Sequence, residues 1–183
     1  ELFHPGEMCV YSGETLSAVE LIAVHSGEGL NGVSRAFHRE ARRRLPDNVR
    51  RTRPVHLNTW EAVYFDHDPE RLRQLATTAA SIGIERFVLD DGWFGSRRND
   101  RSGLGDWKVS ADAYPDGLRP LISHVRGLGM EFGIWVEPEM ANPDSEVLRE
   151  HPEWALVSDG YEPVMGRNQL VLDLTNPAAF DHV

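Results

Sequence analysis

The spacing of hydrophobic and polar positions changes character once along this chain, near residue 50. Before that point, "MCVYSGETLSAVELIAVHSGEG" (8–29) alternates in part and carries turn signals at Ser12-Gly13 and Ser26-Gly27. That pattern predicts strands over residues 1 to about 28. A helix is expected next, because Leu30, Val33, Phe37, Ala41 and Leu45 fall on one stripe. Pro46-Asp47-Asn48 ends it, and "VRRTRP" (49–54) reads as a linker.

From Pro54 onward short apolar runs alternate with amphipathic ones. "VHLNTW" (55–60) predicts a first strand. Asp68 as N-cap and Pro69 as the first helical residue open a helix with Leu72, Leu75, Ala76 and Ala79 on one face, and Gly83 closes it. "RFVLD" (86–90) predicts a second strand, and its continuous apolar run suits a sheet buried on both faces. A long polar loop (91–115) leads to a helix carrying Leu118, Leu121, Ile122, Val125 and Leu128, stopped by Gly129. "EFGIWVEP" (131–138) is the third strand, followed by a short helix around 144–150 and an extended "NQLVLDL" (168–174).

Strand, helix, strand, helix, strand implies parallel βαβ units and an α/β fold. No G-x-G-x-x-G follows a strand from Pro54 onward, which disfavours a dinucleotide-binding domain in that region. Polar and aromatic residues gather just past each strand: Asn58 and Trp60, Asp90 and Asp91, Trp135 and Glu137. A (β/α)₈ TIM barrel builds its site at that rim. Residues 54–183 fall well short of the roughly 250 that such a barrel takes, so a truncated barrel is expected. The domain reading is therefore residues 1–50 as the end of a β-sandwich domain plus a linker helix, and 51–183 as the first part of the barrel.

Composition narrows the partners. The formal net charge of −10 argues against nucleic acid and anionic membrane, both of which attract basic surfaces. The dense basic run "RAFHREARRR" (35–44) has helical spacing, so it reads as a solvated helix face. Cys9 is the single cysteine, so no intrachain disulfide can form and a thiolate metal cluster is excluded. No apolar run of about 18 residues predicts a membrane helix. The start, "ELFHPGEMCVYSGE", lacks the features of a signal peptide and reads as the middle of a longer protein. A cytoplasmic location is expected.

"LDDGWFG" (89–95) raises the main chemical question, because adjacent carboxylates repel. Asp91-Gly92 is also a hairpin signal, but residues 93–107 form no matching alternating strand. Strand neighbours point to opposite faces. Both aspartates can face one ligand only if the strand breaks there, which Gly92 permits. A metal is not expected: the first strand reads His56-Leu57-Asn58 rather than H-x-H, and Asp66-His67-Asp68 is better explained as a helix start. Glu137 and Glu139 share a strand face. A glycosidase, however, needs carboxyls on both sides of the scissile bond, so supporting the rim is an equal reading for them. Trp60, Trp93 and Trp135 can be core. Their position at three strand exits, beside paired aspartates, is also a carbohydrate-site composition, with indole faces for sugar C–H and carboxylates for hydroxyls.

The blocks "NTWEAVYFDHD", "LDDGWFGSRRNDRSGLGDWKV", "YPDGL", "GIWVEPEM" and "RNQLVLDLTNP" occur in one order. In that order they resemble the family 36 glycoside hydrolases, the bacterial type of α-galactosidase. "GLNGVSRAFHRE" resembles the segment leaving that family's N-terminal β-sandwich. The resemblance implies a retaining hydrolase of terminal α-galactosides, of melibiose and raffinose type, with an aspartate nucleophile and an aspartate acid/base. The nucleophile's K-W-D strand motif is missing here, and Asp106 in "GDW" is in the wrong place for it. Both catalytic aspartates are therefore expected beyond Val183. The sugar-contacting positions implied are Trp60, Asp90, Asp91, Trp135 and Arg167, the Asp pair clamping the galactose 4- and 6-hydroxyls. His67 departs from the family, which usually has an apolar or aromatic residue there. No cofactor is implied, and a homo-oligomeric parent is consistent with the family. The same resemblance leaves open a galactosyl-transferring or α-N-acetylgalactosaminidase relative, and a sugar-binding fragment without activity.

Overall fold

A computed structural model describes residues 8–17, 19–46, 53–158 and 160–183. The chain divides into two compact units, Glu1–Arg53 and Pro54–Val183.

In the first unit the described residues form one helix, α1 (Gly29–Arg44). The strands expected over 1–28 do not form among described residues 8–17 and 19–28, and residues 1–7 and 18 lie outside the description. Partial alternation gives a strand only when a neighbouring strand takes up its N–H and C=O groups. The stripe read from the sequence is largely exposed, with Leu30 and Phe37 both open. The basic run is a solvated face: Arg43 and Arg44 both pair with Glu40, whose carboxyl they hold down at about 2. Asp47, Asn48 and most of the linker lie outside the described residues.

The second unit is built on a parallel sheet of order β1-β2-β3, with β1 His56–Asn58, β2 Arg86–Leu89 and β3 Glu131–Ile134. The register sets His56 against Arg86 and Leu89 against Ile134. Helices α3 (Pro69–Ser81) and α4 (Arg119–Gly127) make the crossovers. Asp68 caps α3 by accepting from the Glu70 N–H at 2.9 Å, and Gly83 and Gly129 follow the two helices at positive φ. Both helices pack on one side of the sheet, as two crossovers of the same hand require. Leu72, Ala76, Leu121 and Val125 there enclose Phe87 and Leu89, both fully buried. The opposite face is covered less: Arg86 and Val88 are half-buried. The burial expected on both faces is thus reached on one.

Two strands are shorter than the apolar runs that predict them. β1 ends at Asn58, because Trp60 opens a one-turn helix, α2 (Trp60–Val63), and the Trp60 N–H is taken by Asn58 Oδ1 at 2.8 Å. Past β3, one bond continues the ladder, from the Trp135 N–H to the Leu89 carbonyl, before Pro138 removes a donor. The extended stretch 168–174 contributes β5 (Leu170–Val171), antiparallel to β4 (Met140–Ala141), and isolated bridges at Gln169 and Leu172.

The loop after β2 is long but well packed. Phe94 and Val109 form an isolated antiparallel bridge, and Gly95 N–H donates to the Lys108 carbonyl at 2.7 Å. Leu104 and Tyr114 are buried against the sheet core. Asp106, misplaced for a nucleophile, has a structural partner instead. Its two carboxylate oxygens accept the Glu146 and Val147 N–H groups, each at 3.0 Å, at the start of α5 (Glu146–Glu150). Those are orphan donors of a first helical turn, and a carboxylate suits them in both charge and geometry. Gly105 lets the loop come this close: at φ +105°, an added Cβ would lie 2.8 Å from Val147 Cγ1. A second apolar cluster of Val147, Leu148, Trp154 and Leu172 forms around α5. In the folded protein, Asp106→Ala should make the Glu146 and Val147 amides exchange about fivefold faster, the loss of roughly 1 kcal/mol of capping. Hydrogen–deuterium exchange resolved to α5 checks this, and unchanged protection there would refute the cap.

Candidate functional site

At the C-terminal ends of the three parallel strands lies an open cavity of about 700 Å³. All five residues singled out from the sequence line it: Trp60 after β1, Asp90 and Asp91 after β2, Trp135 after β3, and Arg167 on the turn before β5. Asn58, Glu137 and Glu139 line it as well.

Side-chain alternation along the strands selects which residues face the cavity. Leu57, Phe87 and Leu89 turn to the helices, while Asn58, Val88 and Asp90 take the opposite face. Asn58 and Asp90 meet there, the Asn58 amide donating to Asp90 Oδ2. The other oxygen, Oδ1, accepts the Asp91 N–H at 2.7 Å, and the Asp90 N–H donates to Thr59 Oγ1 at 2.9 Å. Asp90 is therefore a fixed acceptor, held by neutral groups.

Asp91 is fixed by a charge. Arg97 Nε lies 2.9 Å from its Oδ1 and Nη2 lies 2.8 Å from its Oδ2, a two-point pair. The side chains are 0% and 7% exposed. Repulsion between adjacent carboxylates is removed by giving one of them a guanidinium. Gly92, at φ +108°, then turns the chain away, and a Cβ on it would sit 3.1 Å from His67 Nε2. That is the break through which two neighbouring residues reach one cavity.

The acidic tripeptide Asp66-His67-Asp68 disperses. Asp66 pairs with Arg71 and Asp68 caps α3, while His67 lies under the Gly92 turn with Nδ1 2.7 Å from the Tyr114 hydroxyl. Burial lowers the His67 pKa and raises that of Tyr114, so this is a neutral, desolvated pair.

Of the three strand-end tryptophans, Trp93 is core: it is buried, stacks on Trp107, and donates its indole N–H to the Trp135 carbonyl at 2.8 Å. Trp60 stands with its ring edge-on to Tyr64 and Phe65. Trp135 is half-buried and stacks on Phe94. Arg167, at φ +54°, projects from the turn at the cavity rim, 3.6 Å from Glu137. Burial pushes the Glu137 carboxyl above the ordinary glutamate range; Arg167 opposes that shift and Glu139 adds to it.

The cavity thus offers anchored carboxylate acceptors, donors on Asn58 and Arg167, and two indole walls. Such a set fits a polyhydroxylated ring with an apolar side. Sequence reasoning missed Arg97, because "SRRND" carries no periodicity showing which arginine turns inward. It weighed Glu137 and Glu139 without assigning them; the strand face expected for the pair does not form, because β3 ends at Ile134 and both glutamates lie on the segment after it.

Comparison with known proteins identifies the family. The Melibiase family model matches residues 15–183. An α-galactosidase of Escherichia coli is 52% identical over 185 residues, covering 100% of this chain and 26% of that protein. The GH36 α-galactosidase AgaB of Geobacillus stearothermophilus superposes with a TM-score of 0.69 at 52% identity, over 72% of this chain and 18% of that one. A variant of AgaA from the same organism, in complex with stachyose, gives 0.77 at 47% identity, over 84% and 22%. The chain spans about a quarter of the length of the curated relatives it matches. With a family model running over most of its length, this chain belongs to the Melibiase family.

Proposed function

We propose that this chain is part of a retaining α-galactosidase that removes terminal α-galactosyl residues from oligosaccharides of the melibiose and raffinose type. The observation that carries the reading is the convergence of Trp60, Asp90, Asp91, Trp135 and Arg167 on one cavity at the ends of parallel strands. Relatives in complex with stachyose and raffinose support the substrate class. In this reading residues 51–183 are the first part of a (β/α)₈ barrel, residues 1–50 close a β-sandwich domain, and the nucleophile and acid/base come from chain beyond Val183.

The work of these residues is recognition. Asp90 and Asp91 accept hydroxyl hydrogen bonds from galactose with carboxylates already aligned, so little ordering remains to be done on binding. A charge-assisted bond is stronger than a neutral one. A sugar whose hydroxyl points elsewhere leaves a buried acceptor unmet, which is how axial O4 is told from equatorial. Trp60 and Trp135 take the C–H side of the ring, and Arg167 donates at the rim. Burial raises the Glu137 carboxyl above the ordinary glutamate range, so it gives up its proton at a higher pH than a solvated glutamate does.

Three outcomes follow. In the full-length enzyme, Asp90→Asn should lower kcat/KM on an aryl α-galactoside by about 10- to 100-fold, the worth of one charged hydrogen bond. A covalent glycosyl-enzyme trapped on Asp90 would overturn the assignment. Residues 1–183 alone should not turn over that substrate; activity above background would place the nucleophile inside this chain.

The third outcome concerns pH. Folded Glu137 keeps its proton to a higher pH than in the unfolded chain. The folded state therefore binds more protons in that window, and stability is lost as pH rises above the ordinary value of about 4.3. Glu137→Gln should remove that loss, so its thermal midpoint relative to wild type should rise as pH increases through the window. A constant difference across pH would contradict the shift.

A further inference from the structure

Arg97 is the largest fully buried side chain among the described residues. A guanidinium taken from water is costly, and an apolar residue of similar size would often fill the space at least as well. Arg97 instead spends its donors on named partners. Nε and Nη2 hold the Asp91 carboxylate. Nη1 donates to Asn142 Oδ1 at 2.9 Å and to the Ser102 carbonyl at 3.2 Å. The guanidinium carbon lies 5.6 Å from the centre of the Phe65 ring.

Asn142 carries the connection onward. It is fully buried, and its amide donates to the Asn168 carbonyl at 2.7 Å, one residue from Arg167. Arg167 and Asn168 both hold positive φ, at 54° and 59°, so their turn needs outside support. One guanidinium therefore ties together the carboxylate on one side of the cavity and the turn bearing the cation on the other.

We propose that Arg97 is a positioning residue for galactose recognition. It sets the plane of the Asp91 carboxylate directly and, through Asn142, the turn that carries Arg167. The claim rests on the α-galactosidase reading above. A carboxylate has a broad χ2 well and about four acceptor sites. The rigid fork of Arg97 occupies those on its own side and leaves the cavity side for a sugar hydroxyl. A lysine, a point charge on a flexible stem, keeps the charge and loses the plane.

The test uses the full-length enzyme with free galactose as the probe, reading its inhibition constant alongside KM, kcat and thermal midpoint on an aryl α-galactoside. Arg97→Lys should raise the galactose inhibition constant and KM about tenfold or more, with a smaller change in kcat. Leu121→Ala, a core truncation in α4, should lower the thermal midpoint and leave galactose inhibition unchanged. In an Asp91→Asn background the effect of Arg97→Lys on galactose should shrink to the part carried through Asn142 to the Arg167 turn, since residues acting through one another are not additive. Equal effects in both backgrounds, or an inhibition constant within about twofold of wild type, would overturn the proposal. If Asp91→Asn weakens galactose and Arg97→Lys does not, the positioning role fails and the galactosidase reading stands. If Asp91→Asn itself has no effect, both fall. Should Arg97 variants not fold, the galactose complex of the unaltered enzyme decides. Arg97 should remain on Asp91 with a sugar hydroxyl about 3 Å from the carboxylate; a seated sugar with that pair separated would refute it.

Discussion

The site depends on a buried ion pair between neighbouring segments of one loop. Asp91 at the end of β2 and Arg97 six residues later are both withdrawn from solvent, and each is stable there only because of the other. Their pairing folds the chain after Gly92 back on itself. It draws in Asn142, which accepts both the Arg97 Nη1–H and the Leu104 N–H. Without the pair, two carboxylates would sit side by side at a half-closed sheet edge with no means of sharing a cavity.

Around that constraint, a second polar layer works with neutral groups. Thr59, fully buried, receives the Asp90 N–H and donates its own backbone N–H to the Val88 carbonyl, sealing the gap between β1 and β2 where the strands stop pairing. Asn58 serves Trp60 through its oxygen and Asp90 through its nitrogen. The two aspartates are held differently, one by a charge and one by amides and a hydroxyl. Under the proposed function, acceptors prepared in this way need little ordering to meet a sugar hydroxyl.

Much of the second unit was legible in the sequence because its signals are local. Asp68-Pro69 followed by Leu72, Ala76 and Ala79 describes a capped amphipathic helix whatever surrounds it, and that helix forms over Pro69–Ser81. The apolar runs at 86–90 and 131–138 locate β2 and β3, but overstate them, since pairing ends where a partner's ladder ends rather than where hydrophobicity does. The early stretch 8–28 shows the same limit more strongly: alternation alone supplies no partner. Asp106 illustrates a polar residue whose use is non-local, since its two partners lie some forty positions away on α5.

For the site, the sequence by itself determined which residues stand at strand exits, because the two-residue period of a strand and the position of Gly92 are properties of the chain. Trp60, Asp90, Asp91 and Trp135 follow from that, with the family's blocks adding Arg167. Only the tertiary structure decided that Trp93 belongs to the core, that His67 pairs with Tyr114, and that Arg97 rather than its neighbour Arg98 holds Asp91. Those choices depend on which groups meet across long sequence separations and how far each is removed from water. Burial and hydrogen-bond geometry are set by the packed whole, and no window of sequence contains them.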